Sequence, residues 1–175
     1  FFAERAAGHI ARAKGAKPLP LRHIGIVGGG TMGAGIATAC LQSGFSVTMV
    51  ESDKDALCGG LERIEAAICK AISIGKMSKI KANAAREALR GVTNYANLGD
   101  CDLIIEAVFE DMDMKKDVFA KLDAATKSDA VLATNTSYLD VDEIAQAVRD
   151  PTRVIGLHFF SPAHVMKMLE VIVAA

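Results

Sequence analysis

The sequence has no tryptophan and is only 5% aromatic, although 51% of it is hydrophobic. Its core is therefore aliphatic and rich in alanine. It also lacks an excess of either charge: the formal net charge of −1 gives no support for a nucleic-acid partner or a membrane surface. No run of apolar residues reaches the length of a bilayer span. The first residues show neither the apolar core nor the cleavage site of a signal peptide. The four cysteines, Cys40, Cys58, Cys69 and Cys101, have no C-x-x-C spacing, and no His/Cys cluster accompanies them. Metal ligation is not expected, and buried reduced thiols in an intracellular compartment are. Internal repeats and low-complexity tracts are absent too. What remains is 175 residues, enough for one domain or a little more.

What the chain does have is glycine in one informative place. The apolar run Ile24–Val27 breaks into Gly28-x-Gly30-x-x-Gly33 and then into a helix-period segment from Thr31 to Leu41. Strand, glycine turn and helix in that order are the signature of a dinucleotide-binding βαβ unit. Gly28 allows the tight turn, Gly30 lets a pyrophosphate approach the backbone, and Gly33 lets helix and strand pack closely. The phosphates would sit on the helix N terminus, where unpaired N–H groups and the dipole favour negative charge. A second apolar run, Phe45–Val50, ends in Glu51, 18 residues after Gly33. An acidic residue there hydrogen-bonds the adenosine ribose and would repel a 2′-phosphate, which favours NAD over NADP despite nearby Lys54.

Strand and helix patterns alternate through the rest of the chain. Strands are expected at 22–27, 46–50, 92–95, 101–107, 130–133, 153–157 and 168–173, and helices at 31–43, 112–126 and 140–148. Between 53 and 90 a long helical stretch, broken near Gly75, carries an apolar stripe through Leu57, Leu61, Ile64, Ile68 and Ile72. It reads as two helices, with a projecting hairpin as one arrangement. The fold class is α/β: a Rossmann-type, doubly wound, mostly parallel sheet with a long helical insertion after the second strand. Residues 1–14 read as a helix, and Gly15-Ala-Lys-Pro-Leu-Pro20 as a stiff linker that ends it. The division is a linker at 1–20 from a preceding domain and a dinucleotide-binding domain at 21–175, with truncation expected at both ends.

A second cluster of chemistry lies in Gly156-Leu-His-Phe-Phe-Ser-Pro162 and Met166-Lys-Met-Leu-Glu170. His158 follows an apolar strand at the carboxyl end, where α/β sheets bind ligands. Glu170 is flanked by Leu169 and Val171, and a carboxylate in such a run is costly to bury unless paired. The two could form a base and its orienting partner. On spacing alone, the blander alternative is favoured: a satisfied strand-end histidine and a solvated glutamate. Thr134-Asn-Thr-Ser137 offers hydroxyls to a substrate, or caps the following helix, or both. Glu106-Ala-Val-Phe-Glu110 puts Glu110 near the nicotinamide half of a cofactor, or in a helix N-terminal acidic turn. Lys115 and Lys116 read as solvated helix residues, His9 and His23 as structural, and His164 stays open.

Taken together, Gly28-Gly-Gly-Thr-Met-Gly-Ala-Gly-Ile36, Glu106-Ala-Val-Phe-Glu110, Thr134-Asn-Thr-Ser137, His158-Phe-Phe-Ser-Pro162 and Met166-Lys-Met-Leu-Glu170 resemble L-3-hydroxyacyl-CoA dehydrogenase, from about Arg22 to Val173. Phe2-Ala-Glu-Arg-Ala-Ala7 and the Pro-containing linker resemble the join in multifunctional fatty acid oxidation proteins, where an enoyl-CoA hydratase domain comes first. The resemblance implies NAD-dependent oxidation of a (3S)-3-hydroxyacyl-CoA to the 3-oxoacyl-CoA in β-oxidation. It implies His158 as general base, Glu170 as its orienting partner and Ser137 as a hydrogen-bond partner of the substrate hydroxyl beside the nicotinamide. Gly28, Gly29, Gly30, Thr31, Met32, Gly33 and Glu51 would bind the cofactor, with Glu110, Lys115 and Ser161 around the nicotinamide ribose and carboxamide. Ser161, where single-function enzymes have Asn, resembles multifunctional members.

The resemblance also implies partners: an acyl-CoA substrate, an N-terminal hydratase domain and a C-terminal helical domain, the last lying beyond residue 175. The stretch 53–90 corresponds to the family's CoA-contacting tail, in which Lys70 and Lys76 are only candidates. A bacterial cytoplasm is expected, or a peroxisome in a eukaryote. The alternatives are a dehydrogenase of 3-hydroxybutyryl-CoA or another short 3-hydroxy acid and, from another class, a non-catalytic NAD-binding module.

Overall fold

The structure, a computed structural model, describes residues 17–166 and 168–174. The helix expected at 1–14 lies outside the described residues. The chain from Arg22 onward alternates strand and helix: β1 (His23–Val27), α1 (Thr31–Gln42), β2 (Ser46–Val50), α2 (Lys54–Ser73), α3 (Lys79–Glu87), β3 (Leu89–Val92), β4 (Leu103–Glu106), α4 (Met112–Ala125), β5 (Val131–Thr134), α5 (Val141–Ala145), β6 (Val154–Phe159) and β7 (Leu169–Val173). The seven strands form one sheet in the order β3-β2-β1-β4-β5-β6-β7. All pair in parallel except β7, which runs antiparallel to β6 and sets His158 opposite Glu170. This is the doubly wound arrangement, with its order reversing between β1 and β4.

Helices cover both faces, which is why the inner strands are almost wholly apolar. On one face Ile24, Ile26, Met49 and Ile105 pack with Ile36, Ala37 and Leu41 of α1 and with Ile64 and Ile68 of α2. On the other, Val27, Ile104 and Leu132 pack with Val118, Phe119 and Leu122 of α4 and Ile144 of α5. Aspartates start three of the helices: Asp53, Asp111 and Asp140 each accept first-turn N–H groups of the helix they precede. A fourth, Asp102, stitches the lower edge of the sheet, accepting the Arg22 and His23 N–H groups and the Lys127 ammonium.

Several expectations need correction. The third strand is Leu89–Val92 rather than 92–95, and Tyr95 opens a 3-10 turn capped by Asn94. Pairing with β2 sets that register, and this half-exposed edge strand, with Arg90 and Gly91 inside it, carries no apolar run to betray it. The helical insertion does not project: α2 and α3 lie back against the sheet and α1, with Ile64, Ile68, Ala82 and Ala85 buried. The helix expected at 140–148 ends at Ala145. Cys101 is buried and Cys40 partly so, but Cys58 and Cys69 are exposed on the outer side of α2. Burial pushes the Cys40 thiol up to about 11 and the Cys101 thiol up to about 12, leaving both protonated.

Candidate active site

The reversal of strand order between β1 and β4 opens a cleft at the carboxyl ends of the strands, about 430 Å³ in volume, lined by Gly28, Gly30, Glu51, Tyr95 and Val108 among others. Each glycine of the turn has a separate reason. Gly28 has φ +99°, and a Cβ there would lie 2.7 Å from the Ala107 carbonyl oxygen. A Cβ on Gly33 would come within 1.8 Å of the Gly28 carbonyl oxygen, so close packing of α1 on the turn requires its absence. Around Gly30 the space is open: a Cβ there would meet nothing within 4 Å. Gly30 also caps α1 without a side chain, and no acidic residue occupies the first turn, where Thr31 is exposed and Met32 half-buried. The helix thus offers its N–H groups and dipole to the cleft with nothing of its own to satisfy them.

Glu51, at the end of β2, accepts the Gly29 N–H at 2.5 Å and the Ser52 N–H at 3.1 Å. A carboxylate acceptor beside a bare helix N terminus is the donor and acceptor set that a ribose joined to a pyrophosphate needs. The residues therefore fit a dinucleotide.

Across the switch point the site is built of side chains. Glu106, the last residue of β4, is fully buried. Its Oε1 accepts from the Lys115 ammonium at 2.7 Å and from the Val108 N–H at 2.7 Å. Its Oε2 accepts from Lys115 at 2.9 Å and from the Thr134 hydroxyl at 2.7 Å. Lys115, read from pattern alone as a solvated helix residue and placed by the resemblance around the nicotinamide ribose, has no exposed surface and faces Glu106 and Glu110 instead. A lysine can be buried here because two carboxylates receive it: its ammonium also lies 3.3 Å from Glu110 Oε2. Lys116 is the partly exposed one and pairs with Glu143 at 2.5 Å.

Glu110 accepts the Thr136 hydroxyl and, at 2.8 Å, the Ser137 N–H. Partial burial would raise its pKa, but these two donors and the Lys115 ammonium outweigh that and hold the carboxyl below its ordinary value. Asn135 Oδ1 accepts the Phe159 N–H at 3.0 Å, which ties the same loop to β6.

Beyond that loop His158 and Glu170 meet across the antiparallel β6–β7 pair, with Nδ1 2.9 Å from Glu170 Oε2. Glu170 is half-exposed, as the alternative had it, but it is paired with His158 rather than free in solvent. His158 Nε2 faces the Ser137 hydroxyl at 3.4 Å. Ser137, His158, Glu170, Tyr138 and Asp142 line one pocket. If Nδ1 carries the proton and donates to Glu170, Nε2 keeps a lone pair directed at that pocket.

Ser161 is exposed in the loop after β6. His23 is structural, with Nε2 2.8 Å from the Thr48 hydroxyl, while the Nδ1 of His164 is buried without a hydrogen-bond partner. His9 lies outside the described residues. Sequence reasoning missed the roles of Glu106 and Thr134. Its available signal was the glutamate closing the otherwise apolar, fully buried Leu103-Ile-Ile-Glu106. Among the described residues no group of His, Cys, Asp and Glu could hold a metal ion, and no helix is long and apolar enough to cross a membrane.

A doubly wound sheet with a side-chain-free turn, an acceptor at the end of β2 and a His–carboxylate pair across the switch point defines a dinucleotide-binding α/β domain. Residues 23–175 match the family 3-hydroxyacyl-CoA dehydrogenase, NAD binding domain, and the chain belongs to that family. It is 45% identical to the peroxisomal bifunctional enzyme of Homo sapiens over 98% of its own length and 24% of that protein's. To the peroxisomal fatty acid beta-oxidation multifunctional protein AIM1 of Arabidopsis thaliana it is 37% identical, again over 98% of this chain and 24% of that one. The chain thus spans about a quarter of the length of these curated relatives. Among solved structures it resembles FadB2 of M. tuberculosis with a TM-score of 0.84 and 38% identity, covering 86% of this chain and 53% of that one.

Proposed function

We propose that this chain is the cofactor-binding half of an NAD-dependent enzyme that oxidises (3S)-3-hydroxyacyl-CoA to 3-oxoacyl-CoA in fatty acid β-oxidation. The observation that carries the reading is the Ser137–His158–Glu170 array at the carboxyl edge of a sheet whose glycine turn fits a dinucleotide. NAD, when bound, supplies the hydride acceptor. His158 Nε2 takes the proton of the 3-hydroxyl, and Glu170 holds the ring in the tautomer that leaves Nε2 basic and then stabilises the imidazolium. Ser137 hydrogen-bonds the same hydroxyl and orients it. Gly28 to Gly33 and the α1 N terminus hold the pyrophosphate, Glu51 the adenosine ribose, and Glu110 and Ser161 the nicotinamide half.

The parent protein carries a hydratase domain before residues 1–20 and a helical domain after residue 175. The length and names of the curated relatives support a longer, multifunctional parent. So does β7, an edge strand whose five residues are all exposed, including Leu169, Val171, Ile172 and Val173; an apolar edge of this kind calls for a cover. A peroxisomal compartment is likewise supported by those names, ahead of a bacterial cytoplasm. The test is acetoacetyl-CoA reduction by NADH in the full-length parent, alongside an NADH titration. Turnover with tight NADH binding is expected, and binding without turnover would overturn the catalytic reading.

A further inference from the structure

We propose that the buried pair Glu106–Lys115 is a positioning device: acting through Glu110, it sets the place of Ser137 beside His158, an inference that rests on the catalytic reading of His158.

A buried ion pair is a weak source of stability, because an apolar pair of similar volume often serves as well. Here, however, the ammonium does more than neutralise one carboxylate. Lys115 Nζ is locked on both oxygens of Glu106, and Glu106 is fixed in turn by the Thr134 hydroxyl and the Val108 N–H. The cation is therefore referenced to the end of β4 and β5, the rigid centre of the sheet. From that fixed point it reaches Glu110 Oε2 at 3.3 Å.

Glu110 itself lies on the loop between β4 and α4, with a quarter of its side chain exposed (26%). Its other oxygen accepts the Ser137 N–H and the Thr136 hydroxyl. Thr136 Oγ1 accepts the Leu139 N–H at 3.0 Å and lies 3.4 Å from the Tyr138 nitrogen, so one carboxylate organises residues 136–139. The near side of the loop is held separately: the Asn135 N–H donates to the Glu106 carbonyl at 2.8 Å, and Asn135 Oδ1 holds the Phe159 N–H. Only the Ser137 side depends on Glu110. Without the cation, a partly exposed carboxylate turns toward water, and the Ser137 N–H loses its fixed acceptor. Ser137 Oγ then leaves the 3.4 Å separation from His158 Nε2.

The decisive variant is the double substitution E106Q/K115M in the full-length parent. The glutamine keeps an acceptor for the Val108 N–H and offers an amide donor to Thr134. The methionine fills the lysine's volume, so neither member of the pair is left as an unpaired buried charge. The expected result is a melting temperature within a few degrees of wild type. The kcat for acetoacetyl-CoA reduction should fall by roughly 10- to 100-fold. A crystal structure of the variant should place Ser137 Oγ more than about 4 Å from His158 Nε2. Wild-type kcat with Ser137 in its present place would overturn the proposal. The crystallographic readout needs no turnover, so a parent that fails to reduce acetoacetyl-CoA would overturn the catalytic reading alone. The single E106Q variant frees the ammonium from its bidentate hold and leaves Glu110 as its one carboxylate partner, and its kcat should fall as well.

Discussion

The two sides of the switch point are built on opposite principles. The turn between β1 and α1 works by the absence of side chains: a Cβ on Gly33 would strike the Gly28 carbonyl, and one on Gly30 would enter open space that a ligand can use. The ends of β4, β5, β6 and β7 work by crowding, with Glu106, Lys115, Glu110, Thr136 and Ser137 in one hydrogen-bonded run that leads to His158 and Glu170. A backbone site of this kind suits a ligand common to many enzymes, since N–H groups and a dipole recognise any pyrophosphate. A side-chain array specifies a reaction, because acid–base work needs particular groups at particular separations.

The sharpest way to break this contrast is His158→Ala in the full-length parent. It should lower kcat by roughly 10²–10⁴-fold while leaving NADH affinity nearly unchanged, read by steady-state kinetics and fluorescence titration. Equal losses in both would mean that the halves are not separable.

Next in size is Gly33→Ala. Its methyl would sit 1.8 Å from a backbone oxygen, so α1 must move off the turn. Destabilisation of at least about 1–3 kcal/mol in urea unfolding, with loss of NADH binding, is expected. Gly30→Ala separates ligand contact from folding. With nothing within 4 Å and an ordinary φ of −64°, it should leave the melting temperature alone and weaken NADH by on the order of tenfold. A loss of stability equal to that of the Gly33 variant would defeat the distinction between the two glycines.

The smallest effect belongs to Asp102, at the opposite edge of the sheet. The Lys127 ammonium and the His23 and Arg22 N–H groups hold its carboxyl well below the usual carboxylate range. A depressed folded value means that its contribution is present above the unfolded pKa of about 3.9 and is lost as pH falls toward the folded value. Asp102→Asn should therefore lower stability at neutral pH, flatten its decline below about pH 4, and leave NADH affinity and kcat as they were. Any change in affinity would show that the far edge is coupled to the cleft.

The sequence exposes these two halves unequally. The glycine turn, Glu51 and the order of strands are legible because each is local: a turn conformation, a spacing and a period of apolar residues are written in consecutive positions. The edge strand Leu89–Val92 escapes a pattern reading because its pairing, not its composition, makes it a strand. The helical insertion could project as far as its sequence tells, and only packing shows it lying back on the sheet. Lys115 misleads for a related reason. Its neighbours in sequence are Met114 and Lys116, which look solvated, and its neighbours in space are carboxylates 5 and 9 residues away. His158 and Glu170 are candidates by residue type, but spacing alone favours a solvated glutamate until the family resemblance weighs against it.

By itself the sequence determined the doubly wound class, the turn that receives a dinucleotide and the acid at the end of β2, since steric permission and hydrophobic period are properties of the local chain. Only the tertiary structure decided that β7 returns antiparallel to set Glu170 against His158, and that a buried lysine joins two carboxylates behind Ser137. Those separations depend on sheet register and on burial, and neither is written in neighbouring residues.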